Sequence, residues 1–230
     1  MEKQEETRIF SLDDATLIQR CDALRGSLHR DQADLNYRNI TPIVLSNFQG
    51  QIDAFRETDT DIEWQGILTD VIGKKNQSRD ELHIQVSNIR NMAQNVFGLG
   101  KGLYKTFGFT YLDRLDDNNY ARAAKRVHRM ATALVTELAP EGLNAVILAT
   151  LQAKVQEFDE EIDSVATKEE VRDMATQNRI ILGNSLYRTA SKLASVGKTH
   201  FFSRDEAKYN DYVLLPSPEG EEEPEIGPQP

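Results

Sequence analysis

The chain has 230 residues, 39% of them hydrophobic and 28% charged, so it is long enough and apolar enough to bury a core, and its composition excludes a disordered polymer. Its formal net charge of -10 disfavours a general nucleic-acid binder, because such a field repels phosphates unless a local basic patch overrides it. A single cysteine, Cys21, excludes an intrachain disulfide and any metal cluster built from several cysteines.

The polar start Met1 to Glu6 is followed by no apolar stretch, so no secretion signal is read there and a cytoplasmic location is expected. A first helix is predicted after Ser11, with Asp14 completing a capping box and a seam of Leu17, Cys21, Leu24, Leu28 and Leu35. Cys21 on that seam reads as a small core residue. Asp31 lies on the same seam, so it either faces solvent or is buried and needs a partner. Thr41 caps a second helix with Pro42 at its first position and Leu45, Phe48, Ile52 and Phe55 on its buried face.

The apolar phase then changes, and Thr60 with Glu63 forms another capping box, which places a break near residues 57–60. Helix three is predicted to run to about Val96 through Trp64, Leu68, Val71, Leu82, Val86, Ile89 and Ala93, with the apolar-poor stretch Lys74 to Ser78 as a place for a kink. A glycine-rich connector, residues 97–109, stops it, and its aromatics Tyr104, Phe107 and Phe109 read as packed down rather than free. Helix four starts near Asp116, Asp117 and Asn118 and carries Ala123, Val127, Met130, Leu134 and Leu138.

Pro140 ends that helix. Helix five presents Leu148, Leu151, Val155 and Phe158, and helix six is predicted from a Thr167–Glu170 cap to Gly197 and Lys198. Beyond Phe201 and Phe202, a polar helical turn is expected around Ser203 to Tyr209, and the run Tyr212 to Leu215 is expected to lie along the bundle as a strap. The Pro- and Glu-rich residues 217–230 are expected to form a disordered acidic tail or linker.

An internal echo ties these elements together. The pattern from Ile40 to Phe55 recurs from Leu143 to Phe158, and Leu28-His29-Arg30 aligns with Val127-His128-Arg129. The expected fold is therefore all-α: an elongated helical bundle of about six helices in a single domain, 1–216, made of two pseudo-symmetric three-helix repeats at about 12–104 and 115–210.

No motif brings a nucleophile, a base and an acid together, so no catalytic residues are assigned and an enzyme is not expected. Gly197-Lys198-Thr199 has Lys192 where a phosphate loop needs glycine, and no strand precedes it. The histidines, His29, His83, His128 and His200, offer no close ligand pair, so no metal and no cofactor is assigned. Arg122, Lys125, Arg126 and Arg129 form a basic stripe at helical spacing, and Lys101 and Lys198 sit near the ends of the long helices. These six residues are the candidate interaction surface.

The expected function is a noncatalytic structural or protein-interaction module, with a protein partner or self-association and without nucleic acid. The alternatives are a binder of, or enzyme acting on, a small anionic ligand through Lys101, Arg129 or Lys198, and a membrane-associated helical protein without a transmembrane segment.

Overall fold

The computed structural model describes residues 6–214; the tail expected at 217–230 lies outside the described residues. Among the described residues are nine α-helices, three 3-10 turns and no strand, so the fold is all-α. The helices are α1 (Asp14–Arg30), α2 (Gln32–Leu35), α3 (Pro42–Arg56), α4 (Asp61–Phe97), α5 (Gly102–Phe107), α6 (Asp117–Ala133), α7 (Val135–Leu138), α8 (Ala145–Phe201) and α9 (Glu206–Asp211).

Helix starts follow local chemistry. Asp13, and not Ser11, caps α1 by accepting from the Thr16 N–H at 2.9 Å. Thr41 caps α3 ahead of Pro42, Thr60 and Glu63 form the reciprocal box of α4, and Asp116 accepts from the Asn119 N–H to start α6. Each side-chain oxygen satisfies a backbone donor that has no partner within its helix.

The count of nine corrects the expected six in two ways. The predicted helices one and four each break before the end of their seams, leaving the single-turn helices α2 and α7, and the connectors contain α5 and α9. Conversely, the predicted helices five and six are one helix of 57 residues. Thr167 is not a cap: its hydroxyl donates to the Asp163 carbonyl one turn back, inside the helix. Residues 159–170 contain neither glycine nor proline and five glutamate or lysine side chains suited to a helix, so nothing interrupts it. Helix α4 is likewise continuous through Lys74 to Ser78.

The chain forms two compact units, one of residues up to Asp59 and from Met174 onward, the other of Thr60–Asp173. Each draws on both of the segments 12–104 and 115–210. In the first unit, the hairpin of α1 and α3 meets the C-terminal part of α8. Leu17, Cys21, Leu24, Leu28, Leu45, Phe48, Ile52 and Phe55 form one core with Leu186, Ala190, Leu193, Ala194 and Phe201. Burial pushes the Cys21 thiol up to about 12, with the Asp22 charge adding to it, so the group behaves as a small apolar filler.

Polar contacts fasten the edges of this unit. Buried Asn184 accepts the Ile9 N–H at 3.0 Å and donates to the Thr7 carbonyl at 2.9 Å, which holds the N-terminal segment on α8. Asp31 is 2% exposed. Its carboxylate accepts from Arg30, from the Tyr212 hydroxyl at 2.9 Å and from Lys208 at 2.8 Å. Burial works to raise its pKa, but those donors win and hold it at about 2. The strap is seated further by Arg20, which donates to the Leu214 carbonyl.

Gly197 does not end a helix, since α8 continues to Phe201. A Cβ at that position would overlap the Tyr212 ring, so the glycine is what lets the ring lie against the helix.

In the second unit, α4 packs with α6 and with the N-terminal part of α8. Leu82, Val86, Ile89 and Ala93 join Tyr120, Ala124, Val127, Ala131, Leu151, Val155 and Phe158, and Tyr104, Phe107 and Phe109 close the same core. The glycine-rich connector is thus packed down through its aromatics.

Helix boundaries in the two units correspond. Asp14 and Arg30 bound α1, and Asp117 and Ala133 bound α6; α2 at 32–35 matches α7 at 135–138. Left-handed Asn39 matches left-handed Gly142, and Pro42 opening α3 matches Ala145 opening α8. The shift is 103 residues throughout. Buried Leu17, Cys21, Leu24 and Leu28 match buried Tyr120, Ala124, Val127 and Ala131 at the same shift. At that shift Val127 falls on Leu24 and not on Leu28, so the helix boundaries do not follow the alignment of Leu28-His29-Arg30 with Val127-His128-Arg129. The triplets agree in letters only; burial sets the register.

Two outcomes check the locks of the first unit. Gly197→Ala should lower stability by about 1–3 kcal/mol through the displaced Tyr212 ring, read by urea unfolding with near-ultraviolet circular dichroism of the tyrosines. Asp31 has a folded pKa below its ordinary 3.8, so its contribution is present above about pH 4 and disappears as pH falls towards about 2. Wild type should therefore lose about 2 kcal/mol more than Asp31→Asn across that window, measured by urea melts at stepped pH.

Candidate functional site

The sequence-predicted basic residues fall into both units and have different fates. Arg122, Lys125, Arg126 and Arg129 all belong to α6, where their spacing aligns them on the side away from buried Ala124, Val127 and Ala131. Lys125 is paired with Asp159 of α8 at 2.9 Å. Arg126 is turned inward. Its guanidinium donates to the Phe107 carbonyl at 3.0 Å and to the Gly108 carbonyl at 3.1 Å, the orphan acceptors at the end of α5.

Gly108 makes that contact possible. It has φ +68°, and a Cβ there would overlap the Arg126 guanidinium. Arg126 is therefore a structural cap for the connector, fixed in place before any ligand arrives.

Arg122 and Arg129 flank it, one turn to either side. Together the three arginines line a cavity of ≈ 460 Å³ with Gly108, Thr110, Leu115, Asn119 and Ala123. No carboxylate lines this cavity, and no ion pair engages Arg122 or Arg129 among the described residues. On its other side Arg129 joins Lys125, His128 and Gln152 around a smaller depression of ≈ 280 Å³. The chemical capacity of this face is electrostatic: planar donors that can hold carboxylates or other oxyanions in a fixed arrangement.

Lys101 and Lys198 are not part of it. Lys101 is exposed, precedes α5 as its cap residue and contributes no side-chain cap bond. Lys198, in the other unit, sits in α8 with its ammonium 5.3 Å from the Tyr209 ring centre. It borders a cavity of ≈ 530 Å³ lined by Tyr187, Ser191, Ser195, Phe202, Tyr209 and Tyr212, among others.

A second charged cluster was not singled out in the sequence. Lys75, Arg79 and His83 rise along one face of α4 at intervals of four residues. Lys75 pairs with Asp117 at 2.6 Å and Arg79 with the same carboxylate. Arg79 also donates to the Leu115 carbonyl at 2.7 Å and lies over the Tyr120 ring. His83 shares a hydrogen bond of 3.1 Å with the Tyr120 hydroxyl and approaches Asp113 at 3.8 Å. Burial raises the Asp117 pKa, yet the two cations leave it below the usual carboxylate value. Burial pushes the Tyr120 hydroxyl up to about 12, which keeps it a neutral donor or acceptor at ordinary pH. The i, i+4, i+8 spacing of Lys75, Arg79 and His83 was the available signal; Asp117 comes from α6 and Asp113 from the 3-10 turn before it, both distant in the chain.

Among the described residues no group of three or more His, Cys, Asp or Glu is arranged to hold a metal ion. No described helix is long and apolar enough to cross a membrane. The connector aromatics Tyr104, Phe107 and Phe109 are buried. Compared with family models, curated proteins and solved structures, the chain finds no match.

The division of labour on α6 has a measurable consequence. Arg126→Ala leaves the Phe107 and Gly108 carbonyls without their donor and should cost about 1–3 kcal/mol. Arg122→Ala should stay within about 0.5 kcal/mol of wild type. Urea midpoints of the two variants decide it, and equal midpoints would contradict the assigned roles.

Proposed function

We propose that the protein is a noncatalytic protein-interaction module whose contact surface is the arginine face of α6, and that its partner presents an acidic surface, such as a helix rich in glutamate. The observation that carries this reading is the placement of Arg122 and Arg129, two cations without carboxylate partners among the described residues, on either side of a third arginine fixed by backbone carbonyls. An acidic partner would gain charge-assisted hydrogen bonds there without first displacing an internal ion pair. Against the chain's overall net charge of -10, a basic face would favour a partner that approaches it and not others.

The same proposal gives the architecture a history. Two copies of one helical element have been joined, and each compact unit pairs the hairpin of one copy with the long helix of the other. Support comes from the 103-residue correspondence of α1, α2 and the start of α3 with α6, α7 and the start of α8. It comes also from a 104-residue correspondence of the end of α4 and all of α5, residues 102–107, with the end of α8 and all of α9, residues 206–211. A helix hairpin exposing an apolar side accepts a long helix from either copy equally well, which makes such an exchange accessible. Within this scheme, duplication supplies the rigid frame and the α6 arginines supply recognition on one unit only: the α1 positions 103 residues earlier are Gln19, Asp22, Ala23 and Gly26.

A small anionic ligand is the alternative, favoured by the separate cavity beside Lys198. A fluorescent Glu-rich helical peptide titrated into the full chain tests the principal reading by anisotropy. Arg122→Glu with Arg129→Glu should weaken binding by roughly tenfold or more, and added salt should weaken it in wild type. Equal affinity in wild type and the double variant, or no binding by wild type, would refute it.

A further inference from the structure

We infer that the cavity between the C-terminal turns of α8 and the α9 segment is a binding site for a small planar aromatic anion, an aromatic carboxylate being its simplest form. This site belongs to the first unit and shares no residue with the arginine face of the second, so either reading can fail without the other.

The cavity is ≈ 530 Å³, within the range of small-molecule sites. Its aromatic walls are set in position by contacts outside the cavity. Tyr187 stacks on Phe10 with ring centres 5.4 Å apart. Tyr212 supports them from beneath: it is fully buried, stacks on Phe201 at 5.7 Å, and has its hydroxyl committed to Asp31. Gly197 supplies the clearance that brings that ring against α8. A wall held this way pays little ordering entropy when a flat ligand enters.

The opposite side is adaptable. Phe202 is 64% exposed and leans on Tyr209 with ring centres 6.0 Å apart, so it can close over a bound ring.

The polar groups define the ligand's charge. Among the described residues that line the cavity, Lys198 is the one cation and none is a carboxylate. Among the described residues no ion pair engages Lys198; its contact is the Tyr209 ring. Ser191, Ser195 and Thr199 recur at intervals of four along α8 and line the same wall. The Thr199 hydroxyl donates to the Ser195 carbonyl at 2.8 Å, while those of Ser191 and Ser195 remain available to an acceptor. A ring packed against the half-buried Tyr187 and Tyr209, with an anionic group reaching Lys198 and a serine hydroxyl, uses these features.

The probe is 2-naphthoate, titrated into the full chain by calorimetry alongside neutral 2-naphthamide, with circular dichroism confirming the fold of every variant. Wild type should bind the carboxylate more tightly than the amide. Lys198→Met should weaken 2-naphthoate roughly tenfold and leave 2-naphthamide unchanged, and Lys198→Arg should restore most of the loss. Ser195→Trp, at an exposed position where it fills the cavity without entering the core, should abolish binding of both. No binding of 2-naphthoate by wild type at millimolar concentration, or binding that Lys198→Met and Ser195→Trp leave unaltered, would overturn the assignment.

Discussion

A two-helix hairpin can hide only the sides of its helices that face each other, and the apolar surface that remains must be covered by a third element. That requirement governs both units. The α1–α3 hairpin is covered by Leu186, Ala190 and Leu193 of α8, and α6 with the start of α8 is covered by Leu82, Val86 and Ile89 of α4. The covering part of α8 is far from its hairpin in the chain, whereas α4 is joined to its own by the connector 98–116. The length of α8 follows from the same demand, because one uninterrupted helix carries Leu151, Val155 and Phe158 for one core and the covering residues for the other.

Apolar contact alone leaves the ends of these assemblies unspecified, and polar groups decide them. Asp31 is the clearest case, since a carboxylate cannot be buried at the end of α1 unless donors arrive with it. Arg30 comes from the same helix, but Lys208 and Tyr212 bring the C-terminal segment with them. Asn184 does the same for the N-terminal segment, and Arg126 for the connector after α5. Each fastener satisfies backbone or carboxylate groups that would otherwise be stranded, so its value lies in specifying one arrangement among several of similar apolar burial.

The same accounting separates structural charges from recognition charges. On α6, four basic residues of similar sequence character divide into Lys125, paired with Asp159, Arg126, bound to two carbonyls, and Arg122 and Arg129, which face a cavity that no carboxylate lines among the described residues. On α4, by contrast, Lys75 and Arg79 share the Asp117 carboxylate, so each already has an internal partner. A recognition role is proposed where cationic charge is left over, because an external anion there need not compete with an internal one.

Much of the fold was legible in local signals. The seam Leu17, Cys21, Leu24, Leu28 and the face Leu45, Phe48, Ile52, Phe55 are buried as their helical period requires, and the caps at Thr41, Thr60 and Asp116 stand where short-range hydrogen bonding places them. The continuity of α8 was not read correctly, because Thr167 and Glu170 satisfy a capping pattern whose hydroxyl finds an equally good acceptor inside a helix. The candidate site was legible only as a stripe: spacing put Arg122, Arg126 and Arg129 on one face but could not reveal that Gly108 admits one of them to the backbone. By itself, then, the sequence determined which segments are helical and which sides are apolar, since both depend on neighbours within a turn or two. Which long helix covers which hairpin, which arginine is already occupied and what surrounds Asp31 were decided by tertiary structure, because apolar faces are interchangeable until distant polar partners select among them.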